Sequence, residues 1–310
     1  MKRLQYHRYG GPDVLRLEDF EPARPGPGEV LVRVKAAAAN AMDWKMRNGE
    51  MRLLTGRAFP RGFGNDFAGV VEAVGAGVTR LRVGDAVVGG TSLKGAGAFG
   101  EMVIAEEKAV VHKPAELSYE QAAAIPVVGI TAFQAILGKG NLQAGQAVFV
   151  NGCLGGVGRA AAQIALLSGA SVGGSCRGTG VAEARELGID PIVEPGFDPA
   201  RLRGRFDLVF DTPGTLSATA ARTLLKPGGR IIDIVPTPAK FARSVLPGPY
   251  RVMMGRPSPR DLEEVVRMAA RGELRIPVAR TVPLADAIPA LTELERHGTP
   301  KGGKLIITTS

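Results

Sequence analysis

The run Ala147-Val148-Phe149-Val150-Asn151-Gly152-Cys153-Leu154-Gly155-Gly156-Val157-Gly158 constrains this chain more than any other feature. An apolar strand runs into glycines at 152, 155 and 158, and a helix of small residues follows. A turn without side chains lets the backbone approach the diphosphate of a dinucleotide, whose charge then rests on the free N–H groups of the helix start. Gly158 would let the helix pack closely on the sheet. A glycine turn alone is weak evidence, but this one lies inside a longer alternation. Strands are expected at 146–150, 170–173, 192–193, 206–211 and 230–235, with helices at 156–167, 181–187 and 216–225 between them. Apolar strands alternating with helices predict an α/β fold, a doubly wound parallel sheet of the Rossmann type.

The end of the second strand bears on the choice of cofactor. Readers of NAD place an acid about 20 residues beyond the glycines, on the ribose hydroxyls. Here Val172-Gly173-Gly174-Ser175-Cys176-Arg177-Gly178-Thr179 has no acid before Glu183. Ser175, Arg177 and Thr179 offer two hydroxyls and a guanidinium to a 2′-phosphate, so NADPH is expected over NADH. Arg177 as a solvated loop residue is the alternative. A methyltransferase is a rival, because Leu225-Lys226-Pro227-Gly228-Gly229-Arg230 after Phe206-Asp207-Leu208-Val209-Phe210-Asp211 also occurs in that class. It lacks the acid that would hold the ribose of S-adenosylmethionine and leaves the N-terminal region without a role.

That N-terminal region has a different texture. Val30, Val32 and Val34 alternate with Leu31, Arg33 and Lys35, the period of a half-buried strand. Further strands are expected at 70–74, 86–88 and 99–105, separated by glycine turns, which indicates a compact β-rich domain. Ser118-Tyr119-Glu120-Gln121 matches a capping box, and Pro126 should interrupt the helix it starts before a second helical stretch at 129–137. Residues 236–259 read as irregular, serving as a loop, a lid or an oligomer contact. Ser258-Pro259 opens another helix with Leu262, Val265, Val266 and Ala269 buried, and the chain ends in a strand at 304–307. The expected domains are 1–120 with 262–310, and 121–261.

Composition removes several classes. With 45% hydrophobic and 22% charged residues the chain is globular rather than disordered. No stretch reaches the ~18 apolar residues of a membrane span, and the start Met1-Lys2-Arg3-Leu4 lacks the apolar core of a secretory signal, so a cytoplasmic setting is expected. Cys153 and Cys176 read as isolated reduced thiols, and His7, His112 and His297 stand far apart, so no metal site is expected. The net charge of +9 comes from scattered Lys and Arg with only 5% aromatics, poor material for nucleic-acid binding.

In these residues the chain resembles the zinc-free quinone oxidoreductase branch of the medium-chain dehydrogenase/reductase superfamily. The resemblance rests on Asn40-Ala41-Met42-Asp43-Trp44-Lys45, Gly64-Asn65-Asp66-Phe67-Ala68-Gly69, Val83-Gly84-Asp85, Ala98-Phe99-Gly100-Glu101, Gly129-Ile130-Thr131-Ala132, the glycine turn, Leu187-Gly188-Ile189-Asp190 and Gly303-Lys304, in that order. It implies a GroES-like substrate domain built from both chain ends, a central Rossmann domain, a nicotinamide in the cleft between them, and a homodimer. Thr131 would lie near the nicotinamide and Gly152, Gly155, Gly156, Val157 and Gly158 at the diphosphate. Ser175 and Arg177 would meet the 2′-phosphate, and Asn40, Asp43 and Trp44 would line the substrate cleft. Val193 stands where the branch often has a tyrosine beside the adenosine. Zinc-dependent members look for Cys at Asn40 and His-Glu at Asn65-Asp66, and the four-cysteine lobe is missing between 90 and 103.

The implied reaction is hydride transfer from NADPH to a small electrophile, a quinone or an activated alkene, without metal. A 2-alkenal or enoyl-thioester reductase and a catalytically silent NADPH-binding protein are the alternatives. Asn40 either donates to the acceptor carbonyl or stabilises its loop. Asp43 is expected to hold its own loop rather than act as a base. Trp44 either stacks on an aromatic acceptor or packs in the wall.

Overall fold

The computed structural model describes residues 1–298 and 302–309. The chain divides into two compact units, Met1–Val127 with Pro257–Ser310, and Val128–Arg256. The joins differ by a few residues from those read from texture because the flanking helices stay with the first unit. Helix Tyr119–Ala123 packs on strands Glu29–Ala38 and Asp66–Val74, and helix Pro259–Ala270 on strand Val110–His112.

In the first unit the strand Glu29–Ala38 is central. Val30, Val32 and Val34 are buried on one face, as their alternation requires, while Leu31, Arg33 and Lys35 are half-buried on the other. It pairs antiparallel with Asp66–Val74, Met102–Glu106 and Lys304–Thr308. The last pairing sets Ile306 opposite Ala38, which brings Lys304 to the end of the central strand. A second sheet of Lys2–Tyr6, Arg16–Asp19 and Arg61–Gly62 closes over Phe63, Phe67 and Phe99. The strands at 2–6 and 16–19 and the parallel strand Val278–Pro283 carried no recognised sequence signal. Ser118 caps its helix as expected, its hydroxyl accepting from Gln121 N while Gln121 Oε1 accepts from Ser118 N.

In the second unit the strands are β1 (Ala147–Asn151), β2 (Ser171–Ser175), β3 (Ile192–Val193), β4 (Phe206–Asp211), β5 (Leu225–Asp233) and β6 (Tyr250–Val252). All pairings are parallel, in the order β3-β2-β1-β4-β5-β6. Strand order reverses between β1 and β4, the switch point at whose carboxyl ends open α/β sheets bind ligands. Its helices are α1 (Gly156–Leu167), α2 (Val181–Glu186), α3 (Ala218–Leu224) and α4 (Pro238–Val245). Helix Pro126–Phe133 continues into a π-helical turn, Gln134–Lys139, where Gly140 N reaches Ala135 O across five residues.

The segment 236–259 is not irregular throughout. Thr237 caps α4, its hydroxyl accepting from Lys240 N, with Pro238 at the first helical position, and β6 adds the edge strand. The cap-and-proline signature was present in the sequence but was hidden by the surrounding prolines.

Candidate functional site

The glycine turn has the geometry its residues demand. Gly152 has φ of +75°, in the left-handed region, and Gly155 is the extended N-cap of α1. A Cβ on Gly158 would lie 2.1 Å from Gly152 O, so only glycine lets α1 start this close to β1. Gly155 and Gly156 are exposed and Val157 is half-buried. The N–H groups of the first helical turn have no intrahelical acceptors, so an open anion cradle faces outward here. Val128 touches Gly156, a Cβ there falling 3.0 Å from Val128 Cγ1. Thr131, half-buried and one helical turn beyond Val128, lies on the same helix face.

The strand ends beneath this cradle are tied together by side chains that sequence reasoning missed. Asn151 Nδ2 donates to Asp211 Oδ1 at 2.7 Å and to Thr215 Oγ1 at 3.0 Å. Asp211 also accepts from the N–H groups of Gly214, Thr215 and Leu216, and its burial raises it above the usual carboxylate range. A polar residue closing each of β1, β2 and β4 was the available signal.

Ser175 is turned inward, unlike the outward-facing hydroxyl expected from the sequence. It is buried, its hydroxyl donates to Asn151 Oδ1 at 2.5 Å, and it accepts from Gly152 N at 3.0 Å. Both capacities are committed inward, so Ser175 braces the turn rather than offering a hydroxyl to a phosphate. Arg177 is exposed, and its guanidinium has no partner among the described residues. Cys153 and Cys176 are free thiols but are neighbours rather than isolated. Burial and the adjacent Cys176 thiol push Cys153 up to about 12, so it stays protonated and inert.

In the first unit, Asn40, Asp43 and Trp44 lie at the start of helix Ala41–Arg47. Asn40 N–H donates to Asp43 Oδ2 at 2.7 Å, and Asn65 Nδ2 donates to Asp43 Oδ1 at 2.5 Å, so both Asp43 oxygens are hydrogen-bonded. The Asn40 amide is also spent inward: Nδ2 donates to Asp66 Oδ2 at 2.9 Å and to Ala38 O at 3.3 Å, and Oδ1 accepts from Lys304 Nζ. Both Asn40 amide protons are thus hydrogen-bonded to groups of the first unit. Trp44 is half-buried. Burial pushes Asp43 up to about 6 and Asp66 up to about 7 against the opposing pull of Lys304. Burial lowers Lys304, and the two carboxylates draw it back.

These residues do not fit a zinc ion. A catalytic zinc needs three protein ligands and an open position. Asn40 and Asn65 are neutral amides already hydrogen-bonded, Asp66 accepts from Asn40 and from Val127 N, and an ammonium points into the same group of atoms. Among the described residues no group of three His, Cys, Asp or Glu could hold a metal. Nor is any helix among them long and apolar enough to cross a membrane.

A parallel sheet with a glycine turn at its switch point, joined to a β-rich unit from both chain ends, is the architecture of a dehydrogenase/reductase class. Residues 26–115 match the family model "Alcohol dehydrogenase GroES-like domain", and residues 187–307 match "Zinc-binding dehydrogenase". The chain is 30% identical over 330 residues to a chloroplast envelope quinone oxidoreductase homolog of Arabidopsis thaliana, covering 99% of this chain and 98% of that protein. It is 31% identical to a quinone oxidoreductase of Pseudomonas aeruginosa, covering 96% and 97%. The structure of the quinone oxidoreductase from Coxiella burnetii superposes with a TM-score of 0.91 at 27% identity, covering 100% of this chain and 99% of that one. The chain belongs to the medium-chain dehydrogenase/reductase superfamily, in its quinone oxidoreductase group, and is an enzyme of the oxidoreductase class.

Proposed function

We propose that this enzyme reduces a small electrophile, a quinone or an activated alkene, with NADPH and without zinc. The observation that carries the reading is the open cradle at 155–158 with the exposed Arg177 guanidinium, unpartnered among the described residues, following β2. Bound NADPH supplies the hydride. The chain's own part is positioning and exclusion of water, which suffice for an acceptor that is already electrophilic.

In this reading the N–H groups of Gly156, Val157 and Gly158 receive the diphosphate, and Gly152 and Gly155 shape the turn. Arg177 pairs with the 2′-phosphate in a charge-assisted fork, and Ser175 acts on the cofactor only through the turn it braces. Thr131 meets the nicotinamide end. Trp44 offers an aromatic face to the acceptor, with Asn40 and Asp43 fixing the helix start that carries it. The same reading carries over a homodimer and a cytoplasmic setting. β6, the open edge of the parallel sheet, with Phe241, Val245 and Leu246 exposed before it, is the surface to which we assign the subunit contact.

The test is NADPH oxidation against a panel of quinones, 2-alkenals and enoyl thioesters, with and without a strong chelator. The expected result is turnover, fastest on quinones, that the chelator leaves unchanged. Silence on every acceptor, or activity that disappears with the chelator, would contradict the reading.

A further inference from the structure

The final strand of the first unit begins at the Gly303-Lys304 pair. Gly303 has φ of +103°, and a Cβ on it would lie 2.8 Å from Pro277 O, so the final strand enters in a path open only to glycine. Lys304 N–H then donates to Pro277 O at 2.7 Å, and the Lys304 side chain turns into the protein, where it is 6% exposed. Its ammonium donates to Ala39 O at 2.8 Å and, by a short hydrogen bond, to Asn40 Oδ1.

From there a single hydrogen-bond chain runs through the first unit. Asn40 passes its amide protons to Asp66 and its backbone proton to Asp43. Asp66 accepts from Val127 N at 3.1 and 3.2 Å, and Asn65 links Asp43 to Thr91. Two fully buried carboxylates therefore lie near one cation, Asp66 linked to it through the Asn40 side-chain amide and Asp43 through the Asn40 backbone N–H. Buried carboxylates without a counter-charge are unstable as ions. The Lys304 ammonium is the positive charge nearest both carboxylates, and it hydrogen-bonds the Asn40 amide oxygen.

We propose that Lys304 is a positioning residue for the reduction, a tethered ammonium that does the work of a bound cation by fixing the Asn40 amide and, through it, the helix start that carries Trp44. This rests on the reading that Trp44 meets the acceptor. A cation built into the chain also accounts for oxygen and amide groups surrounding this centre without forming a metal site.

The experiment removes the ammonium and supplies it again from solution. Lys304→Ala and Lys304→Met are each assayed for thermal stability and for the KM of NADPH and of a quinone acceptor, alone and with ethylammonium or ethanol added. If Lys304 positions the acceptor side, kcat/KM for the quinone falls by about 100-fold, as for a misplacement of about 1 Å, while the KM for NADPH stays near its original value. In Lys304→Ala ethylammonium restores both melting temperature and quinone turnover, and ethanol, which is similar in size and neutral, restores neither. Restoration of melting temperature alone would make Lys304 merely structural and overturn the proposal, as would rescue by ethanol or a Lys304→Met enzyme with unchanged quinone kinetics. Should the wild-type enzyme reduce no acceptor, the functional reading fails and the positioning role fails with it. The melting-temperature arm would still decide whether the ammonium holds the network. If Lys304→Ala does not fold, Lys304→Met paired with Asp66→Asn supplies the measurement. A shared network predicts that the double substitution costs less than the sum of the two single ones, and simple additivity would overturn it.

Discussion

Substituting Gly158→Ala isolates the contact on which the cofactor cradle depends. The added Cβ would stand 2.1 Å from Gly152 O, 2.9 Å from its carbonyl carbon and 3.1 Å from Cys153 Cα, all of them backbone atoms. No rotamer relieves this, so the start of α1 and the turn must separate by roughly 1 Å to reach van der Waals distance. Overpacking of this kind costs about 1–3 kcal/mol, and the better helix propensity of alanine returns at most ~1 kcal/mol. A net loss of about 1–2 kcal/mol corresponds to a fall in melting temperature of roughly 2–8 °C. The effect on binding should be larger, because amides displaced by about 1 Å from a diphosphate lose on the order of 100-fold in affinity. Thermal unfolding followed by circular dichroism gives the first number and NADPH fluorescence titration the second. Gly138→Ala is the control, since a Cβ there meets nothing within 4 Å; it should leave both quantities near wild type. A Gly158→Ala protein with unchanged melting and unchanged NADPH affinity would refute the close-approach argument.

Three further outcomes follow from the structure. Arg177→Ala should raise the KM for NADPH by about 10-fold, the lower end for a charge-assisted contact because Arg177 is exposed, with little change for NADH; equal effects on both coenzymes would remove the phosphate assignment. Asp66 has a folded pKa of about 7, above its unfolded value, so the native state holds the extra proton and stability falls as pH rises from about 4 to 7. Asp66→Asn should flatten that part of the profile in urea melts at pH 5 and 8, and an identical slope in both proteins would contradict it. Arg47, 1% exposed, donates to both Glu295 oxygens at 2.8 and 2.9 Å and to Gly10 O, so Arg47→Ala should cost about 3 kcal/mol by leaving a half-buried carboxylate unpaired. A loss under ~1 kcal/mol in urea unfolding would show that water already screens the pair.

The features legible in the sequence are those set by neighbours along the chain. The turn at 152–158 could be read because Gly152 and Gly158 occupy positions closed to a side chain, and the strand and helix around it carry their own periods. The helix Pro259–Ala270 was readable for the same reason, since Ser258 and Pro259 announce its start. What the sequence concealed depends on partners far away in the chain. Lys304 lies 264 residues from Asn40, and nothing local to either indicates that an ammonium will grip that amide. Ser175 illustrates a subtler limit. After Gly173 and Gly174, neither of which has a side chain to mark a face, no pattern shows which way the next hydroxyl points, and it turned inward to Asn151. The strand Lys2–Tyr6 escaped because only Leu4 and Tyr6 carry its alternation, too short a pattern to read, although both are buried in the core.

We propose above that a phosphorylated nicotinamide dinucleotide sits on the bare amides at 155–158 with its extra phosphate at Arg177. Calorimetric titration of the purified enzyme with NADPH, then with NADH, tests it most directly. One NADPH should bind per chain, at least about 10-fold more tightly than NADH. Tighter binding of NADH, or heat from neither coenzyme, would contradict it.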